Sequence, residues 1–89
     1  RKVEIMYFYS DMYENEGNLS KLSRKLRQDR KDIQIHLVNV EDPGNEELAE
    51  LYGVNMVPVI IFLTPKGEIT FPDELLVQTV NIKIFYLTI

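Results

Sequence analysis

Chemistry in an α/β chain concentrates where a strand runs out into a helix, and residues 7–18, YFYSDMYENEGN, have that character. The stretch offers the carboxylates of Asp11, Glu14 and Glu16, the Ser10 hydroxyl and the Tyr13 phenol, with no thiol and no imidazole. The 89 residues contain no cysteine and a single histidine, His36. Disulfides, thiolate zinc sites and thiol nucleophiles are therefore excluded together. His36 falls in the apolar run IQIHLVNV and is expected as a satisfied polar group on a strand. A Ser-His-Asp set has little to build on with one histidine, and no glycine-rich phosphate loop is present. Glu41, Asp42 and Glu46 carry oxygens that a hard cation takes, but their spacing fits no known cation loop. No catalytic residue, metal site or cofactor is expected from these residues.

The elements that would position the junction follow from periodicity. Val3 to Tyr9 is mostly apolar, aromatic and β-branched, as in a strand covered on both faces, and Tyr7, Phe8 and Tyr9 read as core aromatics. Leu19, Leu22 and Leu26 recur at spacings of three and four, opposite Lys21, Arg24, Lys25, Arg27 and Gln28. This predicts an amphipathic helix ending near Arg30, with Asn18 as its N-cap. Glu14 and Glu16 just ahead of it suit the positive end of the helix dipole.

Ile33 to Val40 reads as a second strand, and Asp42-Pro43-Gly44 as a turn. Asn45 to Tyr52 reads as a short helix capped by Asn45, with Gly53 at the following position where φ > 0 is wanted. Val57 to Leu63 is a third strand, and Pro65-Lys66-Gly67 a tight turn into Glu68 to Phe71. The order β-α-β-α-β-β predicts a single α/β domain over residues 1–89. It has a central mixed four-stranded sheet flanked by helices: right-handed crossovers give a parallel core, and a hairpin adds an antiparallel edge. Residues 72–89 fit two readings. Pro72-Asp73-Glu74 starts a helix with Leu75, Leu76, Thr79, Lys83 and Tyr86 on one face, which is the preferred one; Val80, Ile82, Ile84 and Tyr86 also alternate like a strand.

Composition supports an ordered globule, 45% hydrophobic and 27% charged. A net charge of −4 disfavours nucleic acid as a partner. The basic cluster from Lys21 to Lys31 and the acidic one from Glu41 to Glu50 read as two solvated helix faces. The run MVPVIIFL is too short to span a bilayer. No signal-peptide pattern opens the chain, so the cytoplasm is the default expectation and the Asn18-Leu19-Ser20 sequon is expected to stay unused.

Pro58 stands in an otherwise strand-like run, where a missing N–H is penalised unless the proline begins the strand or forms a cis turn. Around it, GVNMVPVIIFLTPKGEI resembles the thioredoxin superfamily's glycine-valine, cis-proline and F-x-x-G-E stretch. IHLVNVEDPGNEELAELYGV is similar to that family's second strand and second helix, and VEIMYFYSDMYENEGNLSKLSRKL takes the place of its first strand, active-site loop and first helix. The likeness covers residues 3 to about 71. It implies a thioredoxin-like fold with Val57-Pro58 as the cis-proline, and it puts Tyr13 and Glu16 where the family carries the two cysteines of its CxxC motif. Tyr7 and Leu37 take the places of the buried acid and the lysine that active members often keep beneath the dithiol.

The resemblance therefore implies a redox-inactive domain. It also brings Met12 and Tyr13 near Met56, Val57 and Pro58, an apolar patch with free backbone groups for an extended protein or peptide partner. Two alternatives stand beside this binding or adaptor reading. One is a structural domain or a homodimer joined through the apolar segment NIKIFYLTI. The other, less favoured, is a non-thiol enzyme using the first helix dipole, against which Glu14 and Glu16 would repel an anion.

Overall fold

A computed structural model describes residues 3–12, 16–28, 30–65, 68 and 82–87. The chain is an α/β protein built on a four-stranded mixed sheet with two α-helices among the described residues. Strand β1 (Val3–Tyr9) leads to helix α1 (Glu16–Gln28) and strand β2 (Ile33–Asn39). A single 3-10 turn at Pro43–Asn45 opens into helix α2 (Glu46–Leu51), followed by β3 (Val59–Leu63) and β4 (Lys83–Tyr86). The order across the sheet is β2-β1-β3-β4.

β1 is central and, apart from Glu4, apolar because it has a strand on each side and a helix-bearing layer on each face. It pairs in parallel with β2, Val3 against Ile33 through Tyr9 against Asn39. Its pairing with β3 is antiparallel, Phe8 against Val59 through Glu4 against Leu63. The second crossover is thus not the parallel one that the element order predicts. Asn39 ends β2 beside Tyr9 and Val59 opens β3 beside Phe8, so residues 40–58, with only six of them in α2, do not cross back along the sheet. The chain stays at the end of the sheet where β2 finishes and begins β3 there, pointing the other way.

The fourth strand also differs from expectation. Lys83–Tyr86 pairs in parallel with β3, Val59 against Lys83 through Phe62 against Tyr86, so the helix preferred for the tail does not extend over residues 83–86. Alternation has won over the three-and-four spacing because Ile82, Ile84 and Tyr86 can all turn to one apolar face, and the Tyr86 ring stacks on Phe62 at 5.0 Å. A parallel neighbour needs a crossover of about a dozen residues or more, which residues 64–82 have the length to provide. The predicted hairpin strand over 68–71 and the helix start at 72–74 lie outside the described residues, apart from Glu68.

Two layers of core follow from the strand alternation. One face gathers Val3, Ile5, Tyr7, Ile33, Ile60 and Phe62 beneath α1, which contributes Leu26. Of the predicted helix stripe, the side chains of Leu19 and Leu22 lie outside the described residues. The other face gathers Met6, Phe8, Val38, Val59 and Ile61, with Leu48 and Ala49 of α2 and Tyr52 packed against it. Helix boundaries shift slightly from the sequence reading. α1 begins at Glu16, so Asn18 is inside the helix and not its cap. Asn45 takes the cap position of α2, but its side chain donates to the Asn39 carbonyl at 2.9 Å and makes no capping bond.

Candidate functional site

The candidate site lies where the chain leaves β1 and where it enters β3. Phe8 stands opposite Val59, so Ser10 and Pro58, just beyond that pair, lie at the same end of the sheet. The short α2 connection has this consequence: it delivers the β3 start to the end where β1 runs out.

The exit from β1 is held by polar side chains whose pairing the sequence reading does not foresee. Ser10 is 3% exposed; its hydroxyl donates to Glu41 Oε1 at 2.8 Å and accepts the Met12 N–H at 3.2 Å. The Asn39 amide donates from Nδ2 to Asp11 Oδ2 at 2.6 Å, and its Oδ1 accepts the N–H groups of Asp11 and Glu41 at 3.4 and 3.0 Å. The Val40 N–H donates to the Tyr9 carbonyl at 2.8 Å. Backbone groups that would be orphaned past the strand ends are thereby satisfied. The available signal is the pair of short polar side chains, Ser10 and Asn39, at the ends of two apolar runs.

The other half is set by Gly53. Its φ of 66° is open to glycine at no steric cost. The Gly53 N–H donates to the Glu50 carbonyl at 3.0 Å and the Val54 N–H to the Ala49 carbonyl at 2.9 Å. This is the paired arrangement that ends a helix and turns the chain away from it. The following residues lead into a cis Val57–Pro58 peptide immediately before β3.

On this frame Met12 is 71% and Met56 66% exposed, while Val57 and Pro58 are half-buried and Val57 packs against the α2-face core. Tyr13 lies outside the described residues, as does the side chain of Glu16, whose backbone opens α1. Tyr7 and Leu37 are partners across β1 and β2; Tyr7 is buried beneath α1 and Leu37 is half exposed. Neither offers a group that titrates a thiol.

An apolar groove of about 400 Å³ lies on the α2 face, floored by Val59 and Ile61 and walled by Tyr52, Met56, Phe85 and Leu87. Met56 belongs to both the groove and the patch expected from sequence; Met12, Val57 and Pro58 do not line the groove. The groove escapes sequence reading because it depends on β4 lying beside β3.

Polar chemistry elsewhere is structural. His36 Nε2 is 3.2 Å from Glu4 Oε1 on the α2 face. Arg30 Nε donates to Asp32 Oδ1 at 3.0 Å, a second bond joins their other termini, and Arg30 Nη1 is 4.0 Å from Glu68 Oε1. The hydrogen bond from Arg30 holds the Asp32 carboxyl below its ordinary range, and the same bond raises Arg30. Among the described residues, no group of three or more His, Asp or Glu side chains is arranged to hold a metal, and no helix is long and apolar enough to cross a membrane.

No family model, curated protein or solved structure matches this chain.

Proposed function

We propose that this chain is a redox-inactive, thioredoxin-like module that holds an extended protein or peptide segment at the end of the sheet formed by the β1 exit and the proline loop. One observation carries the reading: Met12 and Met56 are largely exposed at one end of the sheet, on backbone fixed by Ser10, Asn39 and Gly53. Flexible, polarisable methionine side chains on a rigid frame suit apolar segments of varied sequence. The β-α-β-α-β order and the cis peptide at Val57–Pro58 are in keeping with the resemblance. The parallel β4 departs from its expected antiparallel hairpin. With no cysteine in the chain, disulfide exchange has no reacting atom.

The test is a peptide array followed by fluorescence anisotropy on the peptides retained. Met12→Asp and Met56→Asp are expected to weaken binding about tenfold each, the loss of one well-buried apolar contact, with the thermal transition unchanged. Binding that is indifferent to both substitutions overturns the site. Measurable reduction of insulin disulfides overturns the redox-inactive assignment.

A further inference from the structure

We propose that the outer edge of β4 pairs antiparallel with the same edge of a second copy of this chain, about a twofold axis at Phe85, joining two four-stranded sheets into one of eight strands. The inference is independent of the peptide site at the β1 exit.

β4 is the last strand in the sheet order. The N–H groups of Lys83 and Leu87 donate inward to the carbonyls of Pro58 and Phe62, at 3.2 and 2.8 Å. Alternation therefore turns the backbone groups of Ile84 and Tyr86 outward, where no described residue bonds to them. An open row of backbone donors and acceptors is a template for another strand, and protein edges are ordinarily blunted by charge, proline or bulges. Among the described residues, β4 has little such protection. Ile84 and Tyr86 pack on the α1-face core, while Phe85 and Leu87 remain 50% and 43% exposed on the other side. Lys83 is its one charged residue. A strand apolar on both faces suits the interior of a sheet and not its border. The opposite border, β2, carries Gln34, His36 and Asn39, flanked by Lys31, Asp32 and Glu41.

The edge is self-complementary in one register. With the axis at Phe85, Ile84 faces the partner's Tyr86 in hydrogen-bonded pairs, and Phe85 faces the partner's Phe85 in the closer, non-bonded pair. Lys83 falls opposite the partner's Leu87. The two Lys83 residues are then four positions apart along the ladder, about 14 Å. That exceeds the screening length of about 8 Å at physiological salt, so the pairing places no like charges together. The stacked phenylalanines lie at the margin of the apolar groove, whose lining among the described residues carries no charge besides Lys83. A foreign strand would find the same donors and acceptors, but this edge already supplies its own match. Each copy bears a net charge of −4, so association is expected to tighten as salt rises.

Sedimentation equilibrium of the full chain from micromolar to millimolar concentration tests the proposal. The average mass is expected to climb from 10.4 kDa toward twice that value, more readily at high salt. Phe85→Lys, which sets two ammonium groups face to face, and chemically synthesised chain N-methylated at Ile84, which removes an outward donor, should both sediment as monomers with unaltered circular dichroism. A wild-type mass that stays at the monomer value throughout overturns the inference. So does a dimer that persists in both altered chains. Protection of the Ile84 amide only on adding an extended apolar peptide, with no self-association, would reassign the edge to a foreign strand and likewise overturn it.

Discussion

The two faces of the sheet are built from similar residues and are finished differently. Under α1, Val3, Ile5, Tyr7, Ile60 and Phe62 lose nearly all contact with water, and β4 adds Ile82, Ile84 and Tyr86 to the same layer. Under α2, a helix of six residues buries none of its own side chains fully, and Leu51, Met56, Phe85 and Leu87 stay in solvent. Apart from Leu37 at the β2 edge, 49% exposed, one face has spent its apolar surface on the fold. The other retains some for a partner, and both the methionine site and the β4 groove open on or beside it.

The largest expected effect separates the faces directly. Phe62→Ala empties a fully buried site stacked on Tyr86 and should cost about 3–5 kcal/mol, a large part of the stability of a small domain. Phe85→Ala, on the strand beside it but half exposed, should stay within about 0.5 kcal/mol of wild type. Urea midpoints measured at low micromolar concentration, where association does not contribute, decide it. Similar losses at the two positions would mean that the α2 face is as much a part of the core as the α1 face.

This contrast was partly legible in the residues. β1 has the bounds that its apolar run predicts, β2 ends one residue earlier, and Gly53 has the positive φ that its place after LAELY demands. Such features are local: periodicity and φ are set within a few residues. Strand direction is not local. The antiparallel β3 follows from its starting at the end of the sheet where β2 finishes, and the tail's helical and strand periods overlap until β3 supplies a neighbour with an apolar face. The polar lock of Ser10, Asn39 and Glu41 joins residues some thirty positions apart, and the short polar residues that end the two apolar runs do not by themselves show which groups pair. Of the patch residues, Met12 and Met56 are exposed, but the groove beside Met56 rests on β4 and is invisible without it.

A smaller effect should come from the backbone of the α2 face. Gly53 has no heavy atom within 4 Å of where a Cβ would stand, so Gly53→Ala costs only its positive φ, about 1–2 kcal/mol. Gly53→Asn should recover part of that, because asparagine tolerates the left-handed region. If the alanine variant is as stable as wild type, the helix end is not what fixes the proline loop. If alanine and asparagine are equally damaging, contact and not conformation is responsible.

The smallest effect belongs to the rim of the α1 side, where Arg30 links Asp32, just ahead of β2, to Glu68 beyond β3. The Asp32 carboxyl titrates lower in the folded chain than in the unfolded one. Its contribution is therefore present above the unfolded value of about 3.9 and is lost as pH falls through the folded value. Arg30 is raised, so its share is present below its unfolded value and does not vary at neutral pH. Arg30→Gln should lower the urea midpoint slightly and by a constant amount from about pH 5 to 8, and the gap should close as pH drops below about 4. Glutamine keeps hydrogen-bonding capacity while removing the charge, so closure of the gap reports the ion pair itself. Both groups are solvent-accessible, and screening keeps the difference small, which salt should shrink further. A gap that persists unchanged at low pH would mean that Arg30 acts through the packing of its stem, and that the α1 side is held at its rim, as at its centre, by apolar contact.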